Sequence, residues 1–270
     1  MKIAITGKGG VGKTTLAGLL SHLYAKDGKK VIAVDADPDA NLPSALGISQ
    51  EEMRKIRPLA DMQELMEERT GAKTGGMGGM FRMNPKVDDL PEGAGYHMNG
   101  ITLITMGKLK AAASGCYCPE HVLLRNLLKH LIVERKEVVI LDMEAGIEHM
   151  TRGTAEAVDA FIVVVEPGQR SLQTARAVLE MASTLGVPKV FAVANKVRGA
   201  DDLNFIRDHV GSLKLIGTIG FHTSVLDADI KGLSPYHSSV KAVDEVRYIK
   251  NVLEEEFKHG SEKNSHRHRP

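Results

Sequence analysis

Nine residues near the start of the chain, Gly7-Lys8-Gly9-Gly10-Val11-Gly12-Lys13-Thr14-Thr15, have the types and spacing to hold a polyphosphate. They fit G-x-x-x-x-G-K-[ST], between the apolar run Lys2–Thr6 and the helical pattern Leu16–Ala25. Glycines let the backbone curl so that successive N–H groups converge on one anion, and the start of the following helix adds its dipole. Gly9, Gly10, Val11, Gly12, Lys13, Thr14 and Thr15 are therefore the expected cradle. Lys13 reaches the β- and γ-phosphates and Thr14 ligates Mg²⁺.

Two acidic clusters end apolar runs, where carboxylates of a parallel sheet face the ligand crevice. The first is Asp35-Ala36-Asp37-Pro38-Asp39, in which Asp35 suits an outer group around Mg²⁺. Asp39 and Asn41 also suit a helix cap. The second is Asp142-Met143-Glu144-Ala145-Gly146, in which Asp142 is expected to hold Mg²⁺ through a water. The choice of base rests on Asn195-Lys196-Val197-Arg198. Guanine readers use N-K-x-D, whose Asp accepts two N–H bonds from the base, and here Arg198 stands in its place. Asn195 suits the adenine amino group and ring nitrogen, so Asn195 and Lys196 join the nucleotide-binding set and ATP is favoured over GTP.

Both cysteines of the chain fall in Gly115-Cys116-Tyr117-Cys118-Pro119-Glu120-His121. Two thiolates make half of a four-coordinate site. A dimer with this segment near its two-fold axis supplies four, two from each chain. Zn²⁺ takes four thiolates as a tetrahedron, Ni²⁺ as a planar or tetrahedral set, and a [4Fe–4S] cluster also takes four. The pair also suits two small buried hydrophobes. His121 is a further possible ligand or a surface residue of the first helical turn.

Composition narrows the partners. Lys plus Arg number 35 against 34 Asp plus Glu, so no bulk field draws the chain to nucleic acid or to a membrane. Met1 leads straight into a strand pattern, no apolar run has the length of a membrane helix, and two cysteines make no disulfide framework. A cytoplasmic protein is the expectation.

The elements that must position these residues alternate. Strands are expected at Lys2–Thr6, Val31–Asp35, Ile101–Met106, Val138–Asp142, Ala160–Val165, Val190–Asn195 and Leu215–Ile219. The clearest helices are Leu16–Ala25, Leu123–Val133, Leu172–Leu185 and Val243–Phe257. Several strands are apolar throughout, as strands covered on both faces should be. The fold class is α/β, a three-layer P-loop NTPase with a mostly parallel sheet of seven to eight strands. One domain spans 1–258, with an insertion at 53–100. Within it, Leu59–Arg69 is helical and the Gly- and Met-rich Lys73–Met83 reads as a mobile loop. Residues 259–270 read as a disordered tail.

Lys8, directly after the first glycine, sets GKGGVGKTT apart from a plain phosphate loop. The motif resembles the deviant Walker A of the MinD/ParA/NifH/ArsA group of dimeric ATPases. That resemblance implies that Lys8 crosses to the partner's nucleotide, Asp37 orients the attacking water, and Gly146 meets the γ-phosphate. With the DADPD segment, MGKLKAAASGCYCPEHVLLRNLL and VVILDMEAGIEHMTRGTAEAVD, nearly the whole chain is similar to the CooC family of nickel carbon monoxide dehydrogenase maturation ATPases. Membership implies an ATP-hydrolysing homodimer that binds one Ni²⁺ or Zn²⁺ between subunits on Cys116 and Cys118. It also implies assistance in nickel insertion into the client's cluster. A similar branch matures the nickel site of acetyl-CoA synthase, and the motifs do not separate the two. A MinD/ParA-type ATP-timed positioning switch would need a basic membrane helix or DNA-binding face. Glu254, Glu255 and Glu256 and the near-neutral balance oppose both. An iron–sulfur electron donor of the NifH kind would be brown.

Overall fold

Five parallel strands of five or six residues end together along one side of a single sheet, and this arrangement sets where the chemistry lies. The computed structural model describes residues 1–37, 40–72, 82–107, 119–144, 155 and 157–265. Strands β1 (Lys2–Thr6), β2 (Val31–Asp35), β3 (Tyr96–Met98), β4 (Ile101–Thr105), β5 (Val138–Asp142), β6 (Ala160–Val165), β7 (Val190–Val197) and β8 (Lys214–Gly220) form one sheet. Its order is β3-β4-β2-β5-β1-β6-β7-β8. All neighbours are parallel except β3, which pairs antiparallel with β4 at the edge.

The helices are α1 (Lys13–Lys26), α2 (Leu42–Ala45), α3 (Gln50–Met53), α4 (Gln63–Thr70), α5 (Leu90–Ala94), α6 (Pro119–Val133), α7 (Gln169–Thr184), α8 (Ala200–His209), α9 (Thr223–Ile230), α10 (Pro235–Ser238) and α11 (Val240–Ser265). Alternate strand residues face opposite sides. Ile3 and Ile5 of β1 pack with Leu16, Leu20 and Leu23 of α1 and Val246, Ile249 and Leu253 of α11. Ala4, Val139 and Leu141 face the other way, onto Leu123, Leu127 and Leu131 of α6. Val163 and Val165 lie in a third cluster with Leu172, Ala175 and Val178 of α7 and Ile206 of α8. Helices thus cover both faces, the condition for strands with no polar side.

The seven expected strands are present within two residues at either end. Three differences have local causes. β3 is a three-residue strand with no room for alternation. Its signal was the turn Asn99-Gly100, whose φ values of 42° and 81° are the left-handed pair a tight hairpin needs. The expected helix Leu59–Arg69 divides into a 3₁₀ turn at Leu59–Asp61 and α4, with Met62 between them at ψ 72°. α11 runs to Ser265, into the expected tail. Lys and Glu propagate a nucleated helix without needing anything to bury. The four clearest helices left α3 and α8 to α10 unassigned, and α5 is a second helix in an insertion where one, Leu59–Arg69, was expected. Lys73–Gly79 and Met80–Phe81 of the Gly/Met segment lie outside the described residues.

Candidate nucleotide site

β1 ends at Thr6, and the chain turns through Gly7-to-Gly12 into α1. Gly7 has φ 144°, and a Cβ there would stand 2.5 Å from the Val164 carbonyl of β6. Gly12 has φ 94°, and a Cβ there would meet Asn195 Nδ2 at 2.2 Å. Only glycine fits either place. Gly12 also occupies the N-cap of α1 and offers no side-chain acceptor. The first N–H groups of the helix therefore lack capping partners and present their dipole to the loop. Lys13 is 6% exposed and its Nζ lies 3.4 Å from the Lys8 carbonyl. Thr14 and Thr15 follow in the first turn.

On one side of the loop, β5 and β2 bring two carboxylates into register, Asp142 opposite Asp35. Both are fully buried. Asp35 Oδ1 accepts from the Asp37 N–H (3.2 Å) and Oδ2 from the Leu42 N–H (2.9 Å). Asp35 thus shapes the loop carrying Asp37 and caps α2, a duty the sequence suggested for Asn41 or Asp39. Asp39 lies outside the described residues, and Asn41 makes no side-chain cap bond. Burial, with the charges of Asp142 and Asp37, raises the Asp35 carboxyl to about 7 against the two N–H bonds.

Asp142 is different. Neither of its oxygens has a hydrogen-bond partner. Burial pushes it up to about 6, opposed by the nearby Thr14 hydroxyl and Lys13 charge. A buried carboxylate with two orphaned oxygens beside a threonine hydroxyl fits a hydrated divalent cation, which would supply the missing partners. Thr6 Oγ donates to the Glu144 carbonyl (2.8 Å) and pins the next segment to β1. Gly146, Cys116 and Cys118 lie outside the described residues, as does the side chain of His121.

The two raised carboxyls give a sign-definite expectation. Each keeps its proton at pH values where the unfolded chain has released it. The native state binds more protons at these two groups there, and their contribution to metal-free stability falls as pH rises from about 4 through 7. In EDTA, Asp142→Asn should flatten that fall by roughly 1–2 kcal/mol between pH 5 and 8. Urea melts across the range measure it, and an unchanged slope would refute the assignment.

On the other side of the loop lies a feature the motifs did not reveal. Glu166, which follows the all-apolar β6, sets Oε1 3.7 Å from Lys8 Nζ and Oε2 3.3 Å from Lys196 Nζ. A carboxylate closing an apolar strand was its available signal, the one that marked Asp142. Lys196 Nζ also donates to the Gly10 carbonyl (2.6 Å). Asn195 Nδ2 donates to the Val11 carbonyl (2.7 Å), and its Oδ1 accepts from the Lys196 N–H (2.8 Å). Arg198 is held by Asp202 through Nε (2.8 Å) and a terminal nitrogen (2.9 Å). Lys8, Lys13, Asp142, Asn195 and Lys196 are thus brought together around the loop, with Asp37 on the chain leaving β2.

Comparisons with known proteins agree with this fold. A family model for the CobQ/CobB/MinD/ParA nucleotide binding domain matches residues 2–236. The carbon monoxide dehydrogenase accessory protein CooC of Rhodospirillum rubrum is 46% identical over 94% of this chain and 96% of its own. An uncharacterized ATP-binding protein of Methanocaldococcus jannaschii is 45% identical over 94% and 97%. Among solved structures, a ParA family ATPase from Chlorobium tepidum superposes with a TM-score of 0.66 at 16% identity, covering 93% of this chain and 97% of that one. Septum site-determining protein MinD from Pyrococcus horikoshii, complexed with Mg-ADP, gives 0.64 at 20%, covering 92% and 93%.

Proposed function

The chain belongs to the CobQ/CobB/MinD/ParA family of P-loop nucleotide-binding ATPases, in the group that includes CooC, and from that premise we propose that it is a dimeric, ATP-driven nickel metallochaperone for carbon monoxide dehydrogenase. The observation that carries the ATP part is the pair of orphaned Asp142 oxygens beside the uncapped start of α1. Phosphate and metal each find there what they lack. The nickel part is supported by the likeness to CooC and by the two cysteines in one short segment.

The roles follow from charge and position. The loop N–H groups and Lys13 neutralise the β- and γ-phosphates. Thr14 and Asp142 would hold Mg²⁺, which supplies positive charge along the same oxygens. Asp37, on the chain that Asp35 shapes, accepts a hydrogen bond from the attacking water and aligns it with the γ-phosphorus. Lys8 of one subunit meets charge developing on the other subunit's nucleotide. Closure of the dimer on ATP brings two Cys116/Cys118 pairs to one metal, and hydrolysis reopens it. Among the described residues no helix is long and apolar enough to cross a membrane.

The test is anaerobic reconstitution of nickel-free carbon monoxide dehydrogenase with this protein, Ni²⁺ and Mg-ATP. Activation that needs hydrolysable ATP is the expected result. Activation that is equal with Ni²⁺ alone refutes the reading, and activation of acetyl-CoA synthase instead reassigns the client.

A further inference from the structure

The end of β7 touches the phosphate loop at two successive carbonyls. Asn195 holds the carbonyl of Val11 and Lys196 that of Gly10. Neither contact is a by-product of regular strand geometry. The β7–β8 register shifts between Ala194 and Val197, so the two residues sit in an irregularity that re-aims their side chains. Lys196 has φ 58°, left-handed for a residue with a Cβ, a conformation that persists only where its surroundings enforce it. Asn195 is 7% exposed and its amide is engaged at both ends. Strain and burial have both been accepted here for contacts with the loop.

We infer that Asn195 and Lys196 are positioning residues, a clasp that fixes the shape of the phosphate loop regardless of the base. This rests on the ATP-binding reading and revises the expectation that Asn195 reads adenine. The peptide unit is planar and trans, so its carbonyl and the next N–H point in opposite directions. Gripping the Val11 carbonyl from the β7 side turns the Gly12 N–H toward the opposite side, into the cradle. Gripping the Gly10 carbonyl holds the turn before it, in which the Val11 N–H leans on the Lys8 carbonyl at 3.4 Å. Glu166 completes the clasp by pairing with Lys196 on one oxygen and Lys8 on the other. Preorganised donors lose less on binding than donors that must be ordered first.

The test uses a ligand without a base. Binding of Mg-ATP, Mg-GTP and magnesium tripolyphosphate is measured by titration calorimetry for the full chain and for Asn195→Ala, Lys196→Gly and Lys196→Arg. Glycine accepts the left-handed φ, so Lys196→Gly removes the ammonium without threatening the fold and decides the matter even if Asn195→Ala fails to fold. Lys196→Gly and Asn195→Ala should weaken all three ligands by the same factor, about tenfold, and Lys196→Arg should recover most of the loss by donating to the same carbonyl. Unchanged tripolyphosphate binding alongside weakened ATP, or an altered ATP-to-GTP ratio, overturns the clasp in favour of base contact. A full chain that binds none of the three overturns the ATP reading, and the clasp with it.

Discussion

Lys8→Ala is expected to lower ATP hydrolysis by about a thousandfold while leaving ATP binding by the single chain within a few-fold. The free chain explains the separation. Lys13, 6% exposed at the start of α1, would serve the chain's own phosphates. Lys8 Nζ instead rests 3.7 Å from Glu166, with 37% of its side chain exposed. An exposed pair of this kind contributes no more than about 1 kcal/mol, so a nucleotide-bound partner can draw the lysine away. Lys13→Ala, by contrast, should abolish binding itself. Mixing the two variants makes the test sharp. A hybrid dimer places the intact Lys8 of the Lys13→Ala chain against the nucleotide held by the Lys8→Ala chain, so part of the activity should return. No recovery, or loss of ATP binding by Lys8→Ala as complete as that of Lys13→Ala, would show that Lys8 acts within its own chain.

The second large effect concerns metal. Cys116→Ser with Cys118→Ser should reduce affinity for Ni²⁺ or Zn²⁺ by more than about a hundredfold, with ATP binding intact. Metal analysis after gel filtration with a non-hydrolysable ATP analogue should find about one ion per dimer before substitution and none after. Retained metal would place the site elsewhere. The fold offers a reason for nucleotide and metal to be coupled. The segment holding both cysteines leaves the sheet just after β4, where the Met106 N–H donates to the Asp35 carbonyl (2.9 Å). It returns as α6, whose Leu123 and Leu127 pack beneath Val34 and Leu141 of the two carboxylate strands. A shift of the ends of β2 and β5 on binding Mg-ATP would therefore reach the residues on both sides of the cysteine segment.

Much of the frame was legible because its causes are local. An apolar run bounded by turn residues names a buried strand whatever its partners. G-x-x-x-x-G-K-T names a phosphate cradle because the glycines and lysine act within nine residues. β3 was missed because three residues carry no period, although Asn99-Gly100 marked its hairpin. α11 overran its expected end because nothing after Lys258 forbids a helix that has already begun.

The sequence by itself therefore determined an α/β sheet, the phosphate loop, and acidic residues at the right strand ends. Tertiary structure decided where those residues stand and what they touch. Asp35 and Asp142 stand 107 positions apart, and only the β2–β5 register sets them side by side, with neither Asp142 oxygen hydrogen-bonded. Asn195 and Val11 are 184 positions apart. Motif reading points that asparagine at a base; beside a register shift and one left-handed lysine, its amide also donates to the loop at the Val11 carbonyl. Glu166 meets Lys8 and Lys196 because β6 lies between β1 and β7. Residue type and spacing fix what a side chain is able to do. Strand order, register and backbone twist fix where it points, and those depend on the packing of the whole sheet.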